Sequence, residues 1–229
     1  MSTALTSLIA ASVAFVGTHF AMSHPLRGPM VRAFGAKGFA AVYSLVSLAT
    51  FGWMIWAFRG MTRRGMPAWD GSSEALWIVS SVISIVSLAL FIGSLRGNPA
   101  FPDPHAGDGL AAKQPAGVFR VTRHPMMWGF ALWAVSHIMI APTARTLVLA
   151  GAIAFLALVG AHMQDRKKRQ LMGAGWAAWE AKTSYWPRLG ALPGIGLGLW
   201  ALTVALWLVF TWAHIWLAYV PAGIWRWLG

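Results

Sequence analysis

RHPMMWGFALWAVSHIMI-APT-ARTLVLAGAIAFLALVGAHM, from Arg123 to Met163, holds two apolar runs joined by three residues. Between Pro125 and Met163 its only Lys, Arg, Asp or Glu is Arg145. Pro125 suits the first position of a helix, where an N–H would have no partner anyway. The first helix is expected to end near Ile140. Ala141-Pro142-Thr143 then turns the chain into a second helix, from about Arg145 to Met163, and a loop this short makes the two helices antiparallel neighbours. Neither helix has a charged face to turn to water, so the hairpin belongs in a membrane.

Working outward, the same pattern recurs. Apolar runs cover about Thr3 to Met22, Gly38 to Phe58, Ala75 to Leu95 and Leu197 to Val220. Each is near the 20 or so residues that span a hydrocarbon core of about 30 Å. The expected fold class is therefore all-α, a polytopic transmembrane helix bundle of about six spans. Residues 1–229 form a single domain, because six spans and their loops use up the chain. Mean hydropathy is +0.60 and only 10% of residues are charged, well under the roughly 25% of a soluble domain. The first run lacks a basic segment ahead of it and is too long for a signal peptide, so it reads as a retained span. Gly97-Asn98-Pro99 opens a Pro- and Gly-rich loop that carries His105 and divides the spans into two halves. Trp225 and Trp227, beyond the last span, read as an interfacial belt.

The net charge is +12. With these spans, the positive residues serve membrane orientation and contact with anionic lipid, and nucleic acid is not expected as a partner. Loops one, three and five carry thirteen Lys and Arg, against five on the other side. The basic side is expected in the cytoplasm and both termini in the periplasm of a bacterial inner membrane. There are no cysteines, which excludes disulfides, thiolate metal sites and Cys nucleophiles.

Histidines carry the candidate chemistry. His19, His124, His137, His162 and His214 lie in or at the edge of a span, where ionisable groups are costly and mark sites. The bland alternative is a neutral imidazole bridging two helices. Depth arithmetic groups His19, His124 and His162 at the cytoplasmic end. At 1.5 Å per residue, His137 sits about 20 Å further along its helix than His124, toward the outer face, with His214 at similar depth. Two imidazoles from different helices are a common way to hold haem. Asp165, beside Arg166, reads as half of a helix-end ion pair. A Ser-His-Asp hydrolase is unsupported, since Ser23 and Ser136 have no acid at a matching depth.

Val121 to Ala134 with Ser136-His137, then Asp165-Arg166-Lys167-Lys168-Arg169, Gly173, Trp176 and Thr183-Ser184, resemble the second half of the NnrU family. Gly17-Thr18-His19 and Tyr43 to Leu48 resemble its opening motifs. The resemblance covers most of the chain. It implies a bacterial inner-membrane protein linked to denitrification and nitric oxide metabolism, similar to plant zeta-carotene isomerase, which binds haem through membrane histidines. It thereby implies haem b on His19 plus a second-half histidine, with Arg123, His124, His137 and His162 as the candidate cofactor-binding residues. Depth favours His19, His124 and His162 as the metal ligands, and a small apolar substrate and membrane lipid are the implied partners. Met163-Gln164-Asp165 departs from the isomerase pattern, so carotenoid isomerase activity itself is not assumed, and a haem-dependent isomerase-like redox role stands beside nitric oxide metabolism as what the resemblance implies. Arg123-His124-Pro125, Gly129, Gly173, Trp176, Trp179 and Trp186-Pro187-Arg188 also resemble isoprenylcysteine carboxyl methyltransferases. That alternative implies S-adenosylmethionine, with Asp165 or Glu180 as the acid. A third alternative is a non-catalytic membrane assembly or transport factor.

Overall fold

The computed structural model describes residues 2–61, 65–101 and 109–228. His105 lies outside the described residues. Eight helices are found among them: α1 (Thr3–Ser23), α2 (Arg27–Gly60), α3 (Glu74–Gly93), α4 (Pro125–Ile140), α5 (Ala144–Met172), α6 (Ala174–Lys182), α7 (Leu197–Leu217) and the short α8 (Trp225–Leu228). The chain is a multi-pass membrane protein: α1, α2, α3, α5 and α7 are each long and apolar enough to cross a bilayer. The sixth expected span is α4, whose 16 residues reach about 24 Å at 1.5 Å per residue, short of a full crossing.

Local signals explain the helix starts. The side chains of Ser2 and Ser73 accept hydrogen bonds from the N–H groups of Leu5 and Leu76, each at 3.3 Å, which caps two otherwise orphaned helix ends. Pro125 opens α4 as expected. Two boundaries differ from the sequence reading. α2 starts at Arg27 rather than near Gly38 and bends at Gly35, whose φ of 70° and ψ of 171° break the helix; glycine reaches that conformation without a Cβ penalty. α5 continues past Met163 to Met172, because its last turns have partners. Asp165 is buried there, and Lys168 donates to the carbonyls of Pro99 at 3.4 Å and Phe101 at 3.3 Å. The tail also folds back: Trp225 Nε1 donates to Leu208 O at 3.1 Å and Trp227 Nε1 to Glu74 at 2.8 Å.

The long helices pack in the order α2, α1, α5, α4, α3, α7. The tightest joint is between α3 and α4. A Cβ on Gly129 would come within 2.9 Å of Ser87 O, so only glycine allows this approach. Ser87 Oγ donates to Gly129 O at 2.7 Å and Ser80 Oγ to Ser136 O at 2.9 Å; such interhelical bonds contribute about 1 kcal/mol each. Outward-facing Leu45, Leu48 and Trp56 on α2, and Trp212 and Trp216 on α7, are exposed, as expected of a lipid-facing surface. All six long helices border one central cavity of about 2410 Å³. One end of the molecule gathers Arg27, Arg123, Lys167 and Lys168 and is called the basic end below.

Candidate functional site

Of the histidines that line the cavity, three sit within long helices: His19 on α1, His137 on α4 and His214 on α7. Each Nδ1–H donates to the backbone carbonyl four residues earlier, at 2.7 Å to Phe15, 2.8 Å to Trp133 and 2.7 Å to Phe210. A carbonyl can only accept, so the proton sits on Nδ1. In that tautomer the lone pair lies on Nε2. Metal-ligating histidines are oriented in the same way, by a carbonyl or carboxylate on the ring nitrogen that faces away from the metal. His137 and His214 are paired: their ring centres lie 6.2 Å apart with planes inclined at 38°. Two imidazoles sharing one metal ion, with N–metal bonds of about 2.0–2.1 Å, have ring centres roughly 6 Å apart. His19 instead packs between Phe15, at 4.3 Å, and Tyr43, at 5.4 Å.

The grouping expected from depth is only partly what the fold brings together. His162 is exposed on the outer side of α5 and does not line the cavity. His124 borders the cavity wall, but its side chain is fully buried. Its Nε2 meets Asp165 Oδ1 at 2.8 Å, and its Nδ1 is sealed without a partner. An imidazole held and enclosed this way cannot reach a ligand in the cavity unless it leaves Asp165. Direction around the helix axis, which depth along the helix does not give, decides what these two side chains face.

Arg123 and His124 instead belong to a closed polar cluster at the basic end. Arg123 grips Asp165 through Nε at 3.0 and 3.1 Å and through Nη2 at 2.6 Å. Arg123 Nη2 also lies 3.5 Å from Glu180 of α6. Glu180 in turn takes two hydrogen bonds of 2.7 Å from Arg169. Asp165 is thus paired with Arg123 and His124, across helices, and not with Arg166, which is exposed. The segment after α6 straps over the cluster. Ser184 O accepts from Arg123 N at 2.8 Å, and Tyr185 O accepts from Thr122 Oγ1 at 2.7 Å and Trp128 Nε1 at 2.9 Å. Tyr185 donates its hydroxyl to Leu158 O at 3.0 Å and lies under the Arg123 guanidinium. Burial, and then the Asp165 carboxylate, push the Tyr185 hydroxyl above the ordinary phenol pKa.

Two guanidiniums facing two carboxylates leave this cluster nearly neutral and internally satisfied. Such an arrangement joins α4, α5 and α6 and orients its own members. It leaves no carboxylate free to work on a substrate. The cavity is where His19, His137 and His214 turn an Nε2 that the Nδ1 hydrogen bonds leave uncommitted. His214 is grouped by sequence with the span histidines but left out of the candidate cofactor-binding residues, being placed on the far side from His19. Its equal depth with His137 was the available signal, and only the packing of α4 and α7 against the common neighbour α3 turns equal depth into proximity.

No curated protein and no solved structure matches the chain. The family model for "NnrU protein" matches residues 7–222, nearly the whole chain, including both halves of the bundle and every histidine of the cavity. The chain belongs to the NnrU family.

Proposed function

We propose that this NnrU-family protein binds haem b in its central cavity, with His137 and His214 as the protein's imidazole ligands. The observation that carries the proposal is the His137–His214 pair, whose spacing suits one metal ion between two rings with Nδ1 already anchored. The surroundings suit a flat apolar group, since Phe91, Phe130, Trp133, Trp207 and Phe210 line the same cavity. Bound haem would supply a redox-active iron. The chain's own part is to hold the ring tautomers, exclude water with its aromatic wall and keep the group within the bilayer. The family resemblance supports a place in nitric oxide metabolism. By the distribution of Lys and Arg, the basic end faces the cytoplasm and the histidine pair lies toward the periplasm.

The methyltransferase alternative would use the Arg123–His124 region, but there Asp165 and Glu180 are spent on Arg123, His124 and Arg169. The test is the visible spectrum of the detergent-solubilised protein. The expected result is a Soret band and a reduced α-band that are lost or become high-spin in both His137→Ala and His214→Ala, while His162→Ala keeps the wild-type spectrum. A protein that takes up no haemin on reconstitution refutes the proposal. A spectrum abolished by His19→Ala but untouched by His137→Ala and His214→Ala would move the ligand to the other end of the cavity.

A further inference from the structure

We infer that the basic end of the cavity holds the phosphate of an anionic phospholipid, gripped by His24, Arg27 and Lys167. These side chains come from three separate elements: His24 ends α1, Arg27 opens α2 and Lys167 lies on α5. They line one small cavity of about 350 Å³, and no acidic side chain among the described residues lines it with them. Asp165, two positions from Lys167, is turned away and committed to Arg123 and His124. Positive charge gathered in a partly enclosed space without a counter-ion costs energy, unless an anion enters. Burial, and then the charge of Lys167, pull the His24 imidazole below the ordinary value, in the same sense.

Two further features specify the anion. Arg27 and Gly28, the first residues of α2, line the site, and Leu26 ahead of them makes no side-chain cap bond; the N-terminal turn that precedes the Gly35 bend therefore borders the site, and anions are favoured there. His24, Arg27, Lys167 and Leu171 line the small cavity and the large one alike. A molecule with an oxyanion in the first can therefore lay an apolar chain along the second, past Val31, Phe39 and Ala40. Basic pockets between helices on the cytoplasmic side suit anionic lipid headgroups. The site is at the opposite end of the cavity from His137 and His214, and does not depend on haem being bound.

The test uses the full chain, purified in detergent, stripped of lipid and mixed with phosphatidylglycerol or phosphatidylcholine of the same acyl chains. Native mass spectrometry then counts the lipid retained. One phosphatidylglycerol should be retained in preference to phosphatidylcholine, and the variant Arg27→Gln/Lys167→Gln should weaken that retention about thirtyfold. Arg166→Gln/Arg188→Gln removes the same charge from exposed positions and should leave retention within about twofold. Lys167→Gln alone, with an intermediate loss, covers the case in which the double variant does not fold. An equal loss in both double variants would mean general attraction to a basic protein and would overturn the inference. So would retention of inorganic phosphate without phosphatidylglycerol. A third contrary result would be a loss of haem, and not of lipid, in the Arg27/Lys167 variant, which would assign the site to the cofactor's carboxylates while leaving the haem reading intact.

Discussion

Asp165→Asn is the most informative single change, because it keeps the shape of the cluster and deletes one charge. The Asp165 side chain is 5% exposed and the Arg123 side chain 11%, so neither is well hydrated. With the carboxylate gone, Arg123 retains only Glu180, at 3.5 Å and already shared with Arg169. The Asn amide must also turn a donor group toward either Arg123 or His124, both of which now donate to Asp165. Removing one partner of a buried pair costs about 3–5 kcal/mol. At about 2–4 °C per kcal/mol for a chain of this size, the melting temperature should fall by roughly 6–20 °C. The assay is thermal unfolding in detergent followed by tryptophan fluorescence, for which Trp176 and Trp179, both fully buried near the cluster, are natural reporters. Arg166→Gln, an exposed change one residue away, should stay within about 0.5 kcal/mol. Replacing both partners, as in Arg123→Met/Asp165→Leu, should recover part of the loss, since it leaves no unpaired buried charge. If Asp165→Asn melts with Arg166→Gln, the cluster is not the joint that holds α4, α5 and α6 together, and the reasoning fails.

Two further outcomes are expected. The orientation predicts that a membrane-impermeant maleimide labels Ser72→Cys in intact cells and leaves Gln114→Cys unlabelled; both positions are exposed, at opposite ends of the bundle, and the native chain has no cysteine to confuse the result. Labelling of Gln114→Cys instead would invert the topology. Tyr185 should ionise above the ordinary phenol range because burial, and then Asp165, disfavour its anion. A raised folded-state pKa means that its contribution to stability is complete below the unfolded value of about 10 and is lost as pH rises through the folded value. The difference in ultraviolet titration between the native protein and Tyr185→Phe isolates this group. Asp165→Asn should lower its midpoint, and an unchanged midpoint would show that the Asp165 charge does not reach it.

Much of the architecture was legible along the chain because the bilayer imposes it locally. Apolar runs of fixed length, Pro125 at a helix start and the Ala141–Thr143 turn each depend on a few consecutive residues. The spans therefore fall close to where the sequence places them, and the motifs at Gly17–His19 and Arg123–Pro125 lie within the residues that the family model matches. The misjudged boundaries, at Arg27 and Met172, are those where a polar segment stays helical because tertiary partners satisfy it.

The composition of the site was another matter. Rise per residue gives the depth of a histidine from sequence alone, and it correctly placed His137 level with His214. It says nothing of azimuth, which depends on how each helix rolls against its neighbours. Small residues such as Gly129 and the serines of α3 set that roll by permitting close approach. Tertiary packing alone therefore decided that His162 faces outward, that His124 is tied to Asp165, and that His137 meets His214 across the cavity. Sequence determined which side chains exist and at what depth. Packing decided which of them share a space, because contact between helices is a property of two surfaces and neither surface is written in one stretch of chain.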